Sequence, residues 1–291
     1  MPVEIAKIIE ARQPGGFNRR SVRPRRSSRP KTLRPIPRRP TDEVAYRREL
    51  LSLVDLITER VERILFPLLE SLEPEFLKDE FEDELDAAFR GIRQQFEDLE
   101  EFATSRAERM VGTVNRAHEI RYMRELQRKV GIDARGLIQS EGLESTLRAT
   151  TKVNVNLIES IPAEYFAKIE KLVFQNTLTG RTDAKSLRAS ILEIGESTES
   201  RAKLIARDQV AKLNSAVNEE RNIALGIEEY IWRATGGRAG DGRTRTRHRA
   251  AHGIKFRFDD PKVLSVVNGE PVNPGGDVQC RCTAEGIIPG F

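Results

Sequence analysis

An apolar stripe of helical period in the first quarter of the chain constrains the fold most. Leu50, Leu51, Val54, Ile57, Val61, Ile64, Leu65, Leu68, Leu69 and Leu72 recur three and four residues apart. That spacing predicts a long amphipathic helix over 42–72. Thr41-Asp42-Glu43 supplies its start, with acids in the first turn, and Pro67 is placed to kink it. Leu85, Phe89, Ile92, Phe96 and Leu99 make a second stripe, on an acidic helix expected from about 74 to 101. Further helices are expected over about 102–129, 137–149, 153–161 and 162–175, with breaks at Gly131 and before Pro162, and then over about 182–193 and 197–225. Aromatic residues are only 6% of the chain, so these helices must pack through Leu, Ile, Val and Ala.

After Gly226 the period changes. Ile227 to Ala234 reads as a strand by its β-branched and aromatic content, and 236–242 as a Gly-rich loop. A short helix is expected over 243–251, a strand edge at 255–258, and a hairpin between Val263 and Val272 around Asn268-Gly269. The expected fold class is a mainly α N-terminal and central helical body followed by a small α+β C-terminal module.

Charge divides the chain further. Between Ala11 and Thr41 there are eleven Arg or Lys and no acid, with Pro at 14, 24, 30, 35, 37 and 40. Such a segment buries too little apolar surface to offset ordering entropy, so residues 1–40 read as a mobile basic arm. Arg19, Arg20, Arg23, Arg25 and Arg26 are its candidate polyanion contacts; a solubilising tail is the plainer alternative. From Thr41 to Met110 twenty acids face nine bases. The expected partition is 1–40 arm, 41–175 helical body, and 176–291 C-terminal domain, with its helices over 182–225 and its α+β module over 226–291. No apolar run approaches a membrane span, and the first residues lack the pattern of a signal peptide, so synthesis in the cytoplasm is expected.

The scarce residue types gather near the end. The single Trp, Trp232, both cysteines, Cys280 and Cys282, and two of the three histidines, His248 and His252, fall within about 50 residues of one another. A helical His248 and His252, four apart, would share a face and with Cys280 and Cys282 would make four metal ligands, zinc being the ion such a set could take. The alternative is a small core in which Cys-x-Cys is lining and the histidines bond loop backbone. Adjacent cysteines this close make a strained disulfide. Arg243, Arg245 and Arg247, beside Arg238 and Arg249 in the Gly-rich loop, are candidate phosphate contacts. His248 could also serve a nuclease as acid or base, but no second catalytic carboxylate or activated nucleophile stands at a recognisable spacing.

The order Trp232, Asp241-x-Arg243-x-Arg245-x-x-His248-x-x-x-x-Gly253, Pro274-Gly275, Cys280-Arg-Cys282 resembles the C-terminal box of the phage Mu F-type minor head proteins of tailed bacteriophages. Upstream, Gly180-Arg-Thr, Leu187, Ile191 and Ile205-Ala-Arg207-Asp208-Gln209, with Asn214 and Asn218, resemble that family's helical signature, so the likeness covers about 176–288. Many relatives carry Cys-Pro-x-Cys where this chain has Arg245 to His248, and a His where it has Asp277, so any ligand set here is partial. The resemblance implies a structural protein of the phage head. Its expected partners are the portal protein, capsid or scaffolding protein and packaged DNA, and no membrane. Its expected place is the virion head, after assembly in the host cytoplasm. Family effector enzymes extend beyond this box, and the sequence ends nine residues after Cys282, so no enzyme and no cofactor other than zinc is expected. The resemblance gives Arg207, Asp208, Asn214, Trp232 and Gly253 structural roles, with Asn214 and Asn218 in a hydrogen-bond network to the C-terminal module. The alternative function is a stand-alone nucleic-acid-binding or nuclease-like protein built on the basic loop around His248.

Overall fold

A computed structural model describes residues 30–70, 79–131, 141–179 and 184–290. Helix α1 (Pro40–Glu70) begins on a proline, whose missing N–H costs nothing in a first turn, and carries Asp42 and Glu43 there against the helix dipole. Its stripe Leu50, Val54, Ile57, Val61, Leu65 and Leu69 is buried, as the periodicity requires, and the helix runs through Pro67. Helix α2 (Asp79–Gln94) buries Leu85, Phe89 and Ile92. A turn with backbone bonds from Gln95, Phe96 and Glu97 separates it from α3 (Leu99–Val130), so the break falls before Leu99 rather than after Glu101.

Three expected breaks are absent. The segments read as 137–149, 153–161 and 162–175 are one helix, α4 (Glu141–Thr179), with Pro162 inside it. An interior proline costs about 3 kcal/mol. Ile158, Ile161, Tyr165, Phe166 and Ile169 are all buried around it, and at about 1.5–3 kcal/mol each their burial outweighs that cost. The pair read as 182–193 and 197–225 is likewise one helix, α5 (Ala184–Ala224), which passes through Gly195.

The described residues form two compact units, each assembled from separated stretches of chain. One takes residues from 40–110 and 150–209; the other takes them from 1–39, 111–149 and 210–291. The helices α3, α4 and α5 each contribute residues to both. In the first unit Tyr46 donates to Asn154 at 2.9 Å, Asn154 donates to Gln209 at 3.3 Å, and Arg93 pairs with Glu170 at 2.5 Å.

The second unit holds the sheet. Its strands are β1 (Thr32–Leu33), β2 (Glu229–Arg233), β3 (Lys255–Arg257) and β6 (Thr283–Ile287), in antiparallel order β1-β6-β2-β3. A short helix, α6 (Thr246–Ala251), precedes β3. β4 (Val263–Leu264) and β5 (Pro271–Val272) form the expected hairpin, with Gly269 at φ +74° in its turn. β1 departs from the expected mobile arm: Leu33 and Ile36 pack with Tyr122, Leu126, Leu225, Ile227 and Ile288. Two apolar side chains and a sheet edge suffice to tie down the end of a segment that is otherwise Pro and Arg. Arg19, Arg20, Arg23, Arg25 and Arg26 lie outside the described residues. Among the described residues, no helix is long and apolar enough to cross a membrane.

Candidate functional site

Strand alternation aims the site. In β2 the inward residues are Tyr230 and Trp232, both buried, and in β6 Ala284 stands opposite Trp232. Cys280 and Cys282 enter on the turn just before β6. The Cys280 N–H donates to the Asp277 carbonyl at 3.0 Å, and Gln279 takes a φ of +55° between them. Both sulfurs are turned into a core of Trp232, Ala234, Ala251, Phe258, Val263 and Ala284.

Helix α6 brings His248 to the same core, 1% exposed, with its ring edge-on to Trp232 at 5.3 Å. Its Nδ1 is 3.5 Å from both Cys280 Sγ and Cys282 Sγ. Its Nε2 is 3.5 Å from Asp277 Oδ2 and makes no hydrogen bond. Asp277, 1% exposed, accepts from the Ser265 hydroxyl at 2.9 Å, the Val266 amide at 3.1 Å and its own neighbour's Val278 amide at 2.9 Å. Burial pushes that carboxyl up, but these donors and the Arg245 guanidinium outweigh it and hold it below the usual carboxylate range. The hydrogen bond from Cys282 lowers the Cys280 thiol below the usual range against the opposing effect of burial, with His248 adding to the lowering, and the same contact together with burial raises Cys282.

His252 stands apart from His248, Cys280 and Cys282. α6 ends at Ala251, and His252 is already its C-cap with extended ψ 123°. Four-residue spacing shares a face only inside a helix. Gly253, at φ +82°, then donates to the Trp232 carbonyl at 2.9 Å, and the Trp232 amide donates to Ile254 at 3.0 Å. That pairing swings His252 Nδ1 onto the Ala234 amide at 3.1 Å.

The Arg245 guanidinium donates to the Val278 carbonyl at 2.7 Å and lies 3.5 Å from Asp277. Arg243 is exposed and Arg247 half-buried. Asp241 organises the loop between them. It accepts from the Thr244 hydroxyl at 2.8 Å, the Thr244 and Arg243 amides at 3.0 and 3.2 Å, and Arg281 at 2.6 Å. The Thr244 hydroxyl is the largest cause that draws its carboxyl down to about 2.

The polar residues of α5 are buried but do not all point where expected. Asn214 donates to the Ile36 carbonyl at 2.9 Å, which anchors the N-terminal segment rather than the C-terminal module. Glu219 reaches the module instead, accepting from Asn273 at 2.8 Å; Tyr230 donates to the same Asn273 at 2.8 Å. Arg221, 1% exposed, donates to His118 Nδ1 at 2.7 Å and Asn115 Oδ1 at 2.6 Å, and burial lowers His118 well below the ordinary histidine range, so it accepts as a neutral ring. Asp208, in the other unit, is buried and accepts from Gln209 at 3.4 Å. Arg207 lies beside it on the helix, half-buried.

Residues 167–285 match the family described as Phage Mu protein F like protein. The chain carries a phage Mu protein F-like region. The match spans the last third of α4, all of α5 and α6, the strands β2 to β5 and the start of β6, and the His248–Cys280–Cys282 cluster. An uncharacterized protein of Haemophilus influenzae is 30% identical over 261 residues, 88% of this chain and 55% of its own length. The chain therefore spans about half the length of that relative. No solved structure matches.

Proposed function

We propose that this chain is a minor head protein of a tailed bacteriophage, built into the head beside the portal and acting in head assembly and in DNA packaging or delivery. The observation that carries this reading is how the Mu F-like box spends its chemical side chains. Trp232, His248, Asp277, Cys280 and Cys282 are all buried against one another, and Arg245 and Asp241 close the loop that covers them. A general acid or base must come within hydrogen-bond reach of a substrate proton. His248 is turned inward onto two sulfurs, which argues against the nuclease reading that depended on it. The box is a folding unit, and its role is structural.

In this proposal the head partners are the portal protein and capsid or scaffolding subunits. Packaged DNA is met by the basic segment that includes Arg19, Arg20, Arg23, Arg25 and Arg26, and by Arg243 and Arg247. The bases of that segment are interleaved with Pro and Ser rather than aromatics, so they offer charge without a stacking platform for nucleobases. The protein resides in the virion head after assembly in the host cytoplasm. Co-purification tests the reading: the full chain should be retained at low salt by the portal protein of the same phage. A monomer with no portal affinity, together with divalent-metal-dependent DNA turnover that is lost in His248→Ala, would replace it with the nuclease reading.

A further inference from the structure

We propose that His248 Nδ1, Cys280 Sγ and Cys282 Sγ bind one thiophilic divalent cation, zinc by chemical preference, as a staple of the C-terminal module. The three ligand atoms lie within 4.8 Å of one another. Both sulfur–nitrogen separations are 3.5 Å. A tetrahedral ion with bonds of about 2.3 Å to sulfur and about 2.0 Å to nitrogen sets that same edge at about 3.5 Å. One imidazole nitrogen cannot donate a single proton well to two sulfurs on different residues. A cation among the three faces every lone pair at once.

The surroundings supply independent support. Nε2, the far nitrogen of His248, is buried without a hydrogen bond and faces Asp277 Oδ2 at 3.5 Å. Histidines that ligate metals commonly direct their second nitrogen to a carboxylate, which fixes the ring and raises its basicity. Asp277 is itself held by Ser265, Val266, Val278 and Arg245, so it acts as a positioning residue on the ring's outer side and not as a fourth ligand. The Cys282 amide donates to Cys280 Sγ at 3.4 Å, a contact that favours thiolate over thiol. Two thiolates and a neutral ring cancel the charge of a divalent ion, so the loaded cluster carries no net charge into a site whose three residues are 1–4% exposed. Three protein ligands leave the fourth position to a solvent oxygen. A module whose apolar core is this small gains most from such a staple.

This inference stands apart from the head-protein reading. The test uses the full chain, stripped by chelator and refilled with cobalt(II) alone, then zinc alone. The expected result is one ion per chain and a sulfur-to-cobalt charge-transfer band with tetrahedral d–d absorption, bleached by zinc. Zinc should also shield both thiols from a thiol reagent under native conditions, and a chelator should expose them. His252→Ala should keep stoichiometry and spectrum, because that ring bonds the Ala234 amide. Cys280→Ser should abolish the charge-transfer band, and Asp277→Asn should weaken affinity by about 10- to 100-fold at unchanged stoichiometry. A folded wild-type chain that takes up no cobalt and whose thiol reactivity ignores zinc would overturn the proposal, and the trio would then be core lining. Cobalt bound with the same spectrum in Cys280→Ser, or lost in His252→Ala, would overturn the ligand set.

Discussion

Glu219→Gln should stabilise the sheet-bearing unit at alkaline pH and leave it unchanged in acid. Burial, opposed by the Asn273 donor and aided by Glu220, raises the Glu219 carboxyl from 4.5 to about 7. Between those values the folded chain holds a proton that the unfolded chain has released. The stability linked to this proton is therefore fully present below about 4.5 and is lost as pH rises through about 7. At about 1.4 kcal/mol per pH unit the full loss is about 3.5 kcal/mol, and partial solvent access to the side chain places the expected figure at about 1–3 kcal/mol. Glutamine keeps an acceptor for Asn273 and has nothing to ionise. Trp232, the single tryptophan and 1% exposed, reports the same unit, so urea unfolding followed by its fluorescence is the assay. Variant and wild type should agree within about 0.5 kcal/mol at pH 5 and diverge by about 1–3 kcal/mol, variant the more stable, at pH 8. Parallel stability–pH curves would refute the reasoning, as would a variant weaker at pH 8.

Other expectations follow from single contacts. Gly275 has φ +92°, and a Cβ there would lie 1.9 Å from Ser215 Oγ; Gly275→Ala should cost about 2–4 kcal/mol in urea unfolding, with Ser215→Ala relieving only part of it because the backbone strain remains. Tyr122→Phe removes the 3.0 Å donor to the buried Asn222 Oδ1 and should cost about 1–2 kcal/mol by the same assay. Removing residues 1–29, which hold seven arginines, should weaken duplex DNA binding and flatten its salt dependence in filter or fluorescence titrations, without unfolding the sheet, since β1 begins at Thr32. Equal affinity and equal slope with and without the segment would remove DNA from the proposed partners.

The sequence was legible where one interaction dominates. The stripe from Leu50 to Leu69 announced α1 because helical period and burial coincide. Asn268-Gly269 announced its hairpin because the turn needs positive φ. Pro162 misled because its local cost is smaller than the burial gained by its neighbours, a sum that no local rule contains. β6 went unseen because Thr-Ala-Glu-Gly-Ile has little strand propensity; it is a strand because β2 and β1 flank it. In the site, Cys280, Cys282 and His248 stand out as scarce residues, but whether His252 lies with them depends on where α6 ends. That end is fixed by the pairing of Gly253 and Ile254 with Trp232, two residues read for other reasons. Arg245 looked like part of a basic patch because charge is visible in a sequence and the carbonyl of Val278 that it serves is not.

The central claim is that the chain is a component of the phage head. Co-expression with the capsid, scaffolding and portal genes of the same phage, followed by mass-spectrometric counting of purified proheads with and without the portal gene, tests it most directly. The account predicts a fixed, low copy number in portal-containing proheads and loss of the chain from portal-less shells. Proheads that assemble with the portal and contain none of the chain would contradict it.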